Sequence, residues 1–305
     1  MAVLLAFLKV PLSWNQIFRR TFHEAFFKDN CLGMAAQLAY YFFFALFPTL
    51  LFLLALASYF PPYQLIDDLF RTLGGYVPPE ALTIITDQLT KISEGQQGGL
   101  LTLGVATALW SSSAATTAII DTLNTAYGIQ EGRPWWKVRL IAAGLTFGVA
   151  IFILCSLALV LVGPGLLQRI LGTSLGSTFE IAWNVLRWPV VFALVSAGMA
   201  IIYYFAPDAQ QDWVWITPGS IFATTLWVAS SIGFKYYIAS MGSYTESYGA
   251  IGGVMVLMLW FYISGLVILV GAEMNAEIEH SSPYGKADGE KVAAGHRAAE
   301  PRRQA

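Results

Sequence analysis

Six stretches of the chain run apolar for about 20 residues each, the length needed to cross a hydrocarbon core about 30 Å thick. Cys31 to Phe60 is uncharged throughout and carries Pro48 in its middle, which predicts a kinked helix. Leu100 to Ile120 is also uncharged but rich in Ser and Thr. Leu140 to Val162 is plainly apolar. Trp188 to Ala206 is shorter, with Pro189 in its first turn, where a missing N–H costs little. Val214 to Phe234 and Tyr248 to Ala272 complete the set. The pattern predicts an all-α membrane protein: a bundle of about six transmembrane helices occupying residues 31–280.

Residues 1–30 behave differently. Trp14, Ile17, Phe18, Phe22, Ala25 and Phe26 recur at helical spacing, and Arg19, Arg20, His23, Glu24 and Lys28 fill the other arc. That predicts an amphipathic helix over 13–28 lying in the membrane interface. A helix packed on the protein is the plainer reading of the same pattern. The longest connection, Pro61 to Gly98, holds Pro78-Pro79-Glu80 ahead of a helical pattern. Residues 281–305, rich in Ala, Gly, Lys, Arg and Glu, read as a disordered cytoplasmic tail with little to bury.

Composition agrees with a membrane solvent. The chain is 56% hydrophobic and only 12% charged, against about 25% charged in soluble domains. A net charge of −2 gives no electrostatic footprint for nucleic acid. The 17 Lys and Arg divide unevenly, twelve to the N-terminal, second-to-third and C-terminal segments and five to the opposite side. The asymmetry predicts both termini in the cytoplasm. Ala2 to Leu8 has no basic residue ahead of it and is not read as a signal peptide. Cys31 and Cys155 have no metal-ligand spacing.

The second span is the most polar. Ser112 and Thr116 lie four apart, as do Ser113 and Thr117, and the helix continues into Asp121 and Asn124. Such a face belongs in the bundle interior, although each hydroxyl can also bond back to its own helix. Gln37 in the first span and Glu273 and Asn275 ending the last complete a candidate interior polar path. For Glu273 the plainer reading is a helix-end carboxylate paired to Arg133 or Arg139. Gly104 and Ala108, Gly144 and Gly148, and Gly249 and Gly253 are small-residue pairs that predict close helix packing. No carboxylates paired at metal-ligand spacing, nucleophile–base arrangement or phosphate loop is present, so no catalytic, metal-binding or cofactor-binding residue is assigned and no enzyme is expected.

Several segments together resemble the YihY / virulence factor BrkB family of bacterial inner-membrane proteins. They are Ala35-Ala36-Gln37-Leu38-Ala39-Tyr40-Tyr41 with Phe47-Pro48, then Trp110-Ser111 through Leu123-Asn124 with Tyr127-Gly128. Arg133-Pro134-Trp135-Trp136-Lys137 follows, then Tyr203, Pro207, Trp215, Pro218, Gly219 and Trp227. Tyr248 to Gly253, Leu259-Trp260 and Gly271-Ala272-Glu273-Met274-Asn275 close the match. The resemblance implies a polytopic membrane protein. It also implies a link to serum resistance and to envelope lipid transport, including a flippase-like role, and it carries an early ribonuclease label. Gln37 stands where small residues are usual in that family.

Three functions follow as expectations. The first is a transporter or flippase for a lipid or small solute, with membrane lipids as partners. The second is a structural protein of the envelope that does not transport. The third and weakest is a membrane-associated ribonuclease. Self-association into a homo-oligomer is compatible with all three.

Overall fold

The computed structural model describes residues 12–57, 98–161, 176–240, 242–282, 285–287 and 289–292. Among the described residues the chain is helical and contains no strand. The short helix α1 (Trp14–His23) runs into a π-helical turn, Glu24–Lys28. Six long helices follow: α2 (Cys31–Ala57), α3 (Gly98–Ala126), α4 (Trp135–Leu161), α5 (Gly176–Phe205), α6 (Trp213–Ser240) and α7 (Gly242–His280). The expected first loop, Pro61 to Gly98, lies almost wholly outside the described residues.

Each long helix has at least 27 residues, or about 40 Å at 1.5 Å per residue, enough to cross a bilayer. Four are also apolar enough, over Cys31–Leu53, Trp135–Ser156, Ile181–Phe205 and Gly252–His280. Helices α3 and α6 have the length, but their hydroxyl residues lower their apolarity. Among the described residues six helices thus have membrane length, four of them strongly apolar, where the sequence predicts about six spans.

Local signals explain the start of the chain. Ser13 caps α1 in a capping box: its Oγ accepts from Gln16 N at 3.4 Å, and Gln16 Oε1 accepts from Ser13 N at 2.9 Å. Lys28 and Glu24 pair at 3.0 Å across the π turn. Asn30 then takes a left-handed φ of 50° and its Oδ1 accepts from Gly33 N at 3.3 Å, capping α2. Gly33 is needed there, since a Cβ would lie 2.5 Å from Asn30 Nδ2.

The fold divides into two compact units. The first comprises Met1–Phe43, Ala115–Leu145 and Val195–Ala305. Its core is built from Leu38, Ile120, Leu123, Tyr203, Ile216 and Leu269, all fully buried. Ile17 of α1 packs on Met274 and Ile278 of α7, and Phe18 meets Phe222 edge-on at 5.4 Å. In this unit α6 and α7 approach most closely at glycines: a Cβ on Gly219 would lie 2.2 Å from Gly271 O.

The second unit comprises Phe44–Ala114 and Thr146–Leu194. Buried Phe52 packs there against Phe147 at 6.2 Å. Both units expose large apolar side chains, such as Leu140 at 70% in the first and Ile181 at 67% in the second. A soluble monomer rarely does this over long helices, whereas lipid tails solvate such faces.

Two packing expectations need correction. A Cβ added at Gly144, Gly148 or Gly253 meets nothing within 4 Å, so among the described residues these three glycines make no close packing contact. The tight approaches fall instead at Gly219, Gly271 and Gly265, which lack that regular spacing. The residues expected to form a disordered tail also differ at their beginning. Lys286 is buried and ion-paired to Glu279 at 2.7 Å, which fixes the chain immediately after α7.

Candidate functional site

The polar centre of the first unit lies where the α3–α4 turn, the α5–α6 turn and residues 285–287 and 289–292 meet. Asn124, in the last turn of α3, is buried and uses both ends of its amide. Nδ2 donates to Glu131 Oε2 at 2.9 Å, and Oδ1 accepts from Asp208 N at 2.8 Å. Arg133 forks onto Glu131, with Nε to Oε1 at 2.9 Å and Nη2 to Oε2 at 2.7 Å, the bidentate geometry favoured by guanidinium and carboxylate. The same Nη2 donates to Ala206 O at 2.8 Å, and Nε stands 3.5 Å from Asp208 Oδ1. Asp208 also accepts from Gly132 N at 2.9 Å and pairs with Lys291.

This network controls its own charge. Burial acts to raise the Glu131 carboxyl, but hydrogen bonds from the Arg133 side chain and backbone and from Asn124 outweigh it and hold it down at about 2. Arg133 is raised by the same hydrogen bond to Glu131. The groups are mutually neutralised, so none is an activated nucleophile or base. Beside them opens a groove of about 670 Å³ lined by Arg133, Tyr204, Phe205, Asp208, Asp212 and Lys291, among others. Tyr204 stacks on Trp213 at 4.6 Å along its wall.

A second polar cluster lies deeper in the same unit. Asn275 Oδ1 accepts from Gly219 N at 2.7 Å. Tyr127, buried beside Asn275 and Glu279, has its phenol pushed far up by that burial and by the Glu279 charge, so its hydroxyl stays protonated. Lys286 Nζ donates to Glu279, Gln210 O and Gln211. A smaller hollow of about 320 Å³ lies between α1 and α7, lined by Gln16, Arg19, Arg20, His23, Glu24 and Glu277.

The residues of the expected polar path each have their own local setting. Gln37 and Asp121 are exposed. Ser112 and Ser113 are buried, at 2% and 0% exposure, and bond back to Leu109 O at 3.1 Å and Trp110 O at 2.7 Å. Thr116 is half-buried. Thr117 accepts from Arg139 Nη1 at 3.3 Å. Glu273 is buried, and Cys31 Sγ donates to its Oε1 at 3.6 Å, with Asp29 and Glu24 nearby. It pairs with neither Arg133 nor Arg139, contrary to the plainer sequence reading. Glu273 and Asn275 are two residues apart yet face different partners.

Sequence reading missed Glu131, Asp208, Lys286 and Lys291. Each is an ordinary charge in a turn or an expected tail, and only the fold brings them together. Among the described residues no group of three or more His, Cys, Asp or Glu is placed to hold a metal.

Long apolar helices, lipid-suited faces and polar networks gathered in turns define a polytopic helical membrane protein. The chain belongs to the family described as Virulence factor BrkB, whose model matches residues 22–296. It is similar to the "Putative ribonuclease-like protein YfkH" of Bacillus subtilis (strain 168), with 35% identity over 260 residues, 85% of this chain and 91% of the relative. It is also similar to the "UPF0761 membrane protein" of Alkalilimnicola ehrlichii, 26% identical over 83% of this chain and 56% of that one. That of Chromobacterium violaceum is 27% identical over 82% and 58%. The chain therefore spans a little over half the length of these two UPF0761 relatives. No solved structure matches it.

Proposed function

We propose that this protein is a six-span transporter or flippase-like protein for a lipid or small solute, in the bacterial inner membrane with both termini cytoplasmic. The observation that carries the reading is the hydroxyl face of α3. Ser112 and Ser113 are buried in a membrane-length helix instead of facing outward. A polar helix turned inward is what a hydrated path requires. The topology follows from the Lys and Arg distribution.

The structural-protein reading has its own support. Both serines already bond to backbone carbonyls of their own helix, and Asn124 serves as a cross-link between turns. A ribonuclease, the activity named for the Bacillus relative, would need a general acid and base placed around a phosphodiester. The mutually neutralised groups of the turn network offer no such arrangement.

Reconstitution into liposomes separates these readings. The transport reading expects lipid scrambling or solute flux above that of empty vesicles, reduced by the double substitution Ser112→Ala and Thr116→Ala. Folded, reconstituted protein with no flux of lipid, ion or small solute would favour the structural reading. Cleavage of RNA by the purified chain would favour the third.

A further inference from the structure

Lys286 occupies a setting seldom seen for its residue type. Lysine is almost never fully buried unless paired, and this side chain is 1% exposed. Its ammonium is met by three oxygens: Glu279 Oε1 at 2.7 Å, Gln210 O at 2.9 Å and Gln211 Oε1 at 3.0 Å. An –NH₃⁺ group has three donors and no acceptor, so the cage matches it bond for bond. The cage belongs to the packed body, namely the last turn of α7 and the α5–α6 turn. The ammonium belongs to a short strap of chain, 285–287 and 289–292. Gly285 carries that strap so close to α7 that a Cβ there would lie 2.1 Å from Glu279 O. Gln210 N donates to Lys291 O at 2.8 Å farther along it.

A second observation points to a ligand larger than an ammonium. Gln211 Nε2 and Glu279 Oε2 are buried and make no hydrogen bond, while Tyr127 and Asn275 beside them bond to each other. The four residues are 7%, 1%, 1% and 0% exposed. Buried polar atoms are normally bonded. Tyr127 adjoins both Asn275 and Glu279, and Gln211 adjoins Lys286. Lys286 therefore satisfies three oxygens of this cluster while the Gln211 amide donor stays unused. A ligand carrying an ammonium and, a few bonds away, a hydroxyl or phosphate oxygen would use both.

We propose that Glu279, Gln211 and the Gln210 carbonyl form a primary-ammonium site for an ethanolamine-type group, and that Lys286 is a tethered occupant which an external ammonium displaces. The site does not depend on the transport reading, because its tests read binding and not flux. The shared chemistry has two sources, a free amine and a phospholipid headgroup, and the experiments distinguish them.

The first test is chemical rescue in the full chain. Lys286→Ala should lower the Tm. Ethylammonium or ethanolamine should then restore part of the loss saturably, and tetramethylammonium, which has no N–H, should not. The double variant with Glu279→Gln should not recover. Recovery with tetramethylammonium, or none with any primary amine, would overturn the proposal.

The second test keeps Lys286 and serves if that variant does not fold. A spin label at exposed Ala287→Cys, in a background with exposed Cys155→Ser, reports whether the strap moves. Mobility should rise in phosphatidylethanolamine vesicles and stay low in phosphatidylcholine vesicles. A rise with free ethanolamine in phosphatidylcholine as well shows that the small amine suffices, whereas a rise in the lipid alone assigns the headgroup. Equal mobility in all three conditions would overturn the displacement.

Discussion

Asn275 holds the backbone of Gly219: its Oδ1 accepts the Gly219 N–H at 2.7 Å, and Asn275 is completely buried. The bond joins α7 to α6 immediately after Pro218, where the helical ladder already lacks one N–H. Asn275→Ala removes this acceptor and the hydrogen bond between the helices, at a cost of about 0.5–1.5 kcal/mol. The expected outcome is a lower Tm in detergent with helical content retained. An unchanged Tm would mean that Gly219 N has another partner.

The same approach makes Gly219 sensitive to a single methyl group. A Cβ there would lie 2.2 Å from Gly271 O and 2.3 Å from Asn275 Oδ1, and the first of these is backbone that cannot swing aside. Gly219→Ala should therefore force α6 and α7 apart, at about 1–3 kcal/mol or more. Gly148→Ala is the control, since nothing lies within 4 Å of its Cβ. Thermal unfolding of the two variants should differ clearly, with Gly148→Ala near wild type. Equal Tm values for the two variants would show that no packing constraint acts at Gly219.

The charged turn predicts an acid limb. Glu131 has its carboxyl lowered from 4.5 to about 2. A depressed carboxyl contributes stability that is fully present above the unfolded value and is lost as pH falls through the folded one. Its contribution should fade from about pH 4.5 to about pH 2. Glu131→Gln should flatten the Tm–pH curve in that window while leaving the neutral-pH structure folded. An acid limb identical to wild type would show that other carboxyls carry it.

The sequence made the long helices legible because a bilayer demands one simple pattern, about 20 apolar residues in a row. It made α1 legible for a similar reason, since helical spacing is local, whereas the Ser13 cap was not read from the sequence. The polar site was less legible. Asn124, Glu273 and Asn275 stood out as polar residues near apolar runs and all three are buried, but their partners were not visible. Glu131 and Asp208 come together across 77 residues of chain only because Arg133 and Asn124 reach both. Lys286 resembled any other tail lysine until the fold set three oxygens around it. Charges in turns have no period, so only the tertiary structure reveals which of them meet.

Helix α1 turns out to have two apolar sides, and they should respond differently to substitution. Ile17 is 3% exposed and packs on Met274 and Ile278, while Thr21 and Ala25 continue the same buried line. Trp14, Phe22 and Phe27 face outward at 54%, 42% and 82% exposure. In water those outward aromatics would be unfavourable, and at a membrane interface each contributes binding when it sinks among the headgroups. Ile17→Asp should therefore undock α1 from α7, at about 1.5–3 kcal/mol for the lost burial. Phe27→Ser should leave the docking intact and weaken only the membrane anchorage. Spin labels at positions 22 and 27 should report contact with lipid in vesicles, and a label at position 17 should report immobilisation within the protein. If positions 22 and 27 prove fully water-exposed in the bilayer, α1 is a packed helix outside the interface, and its outward aromatics are left for a protein partner to cover.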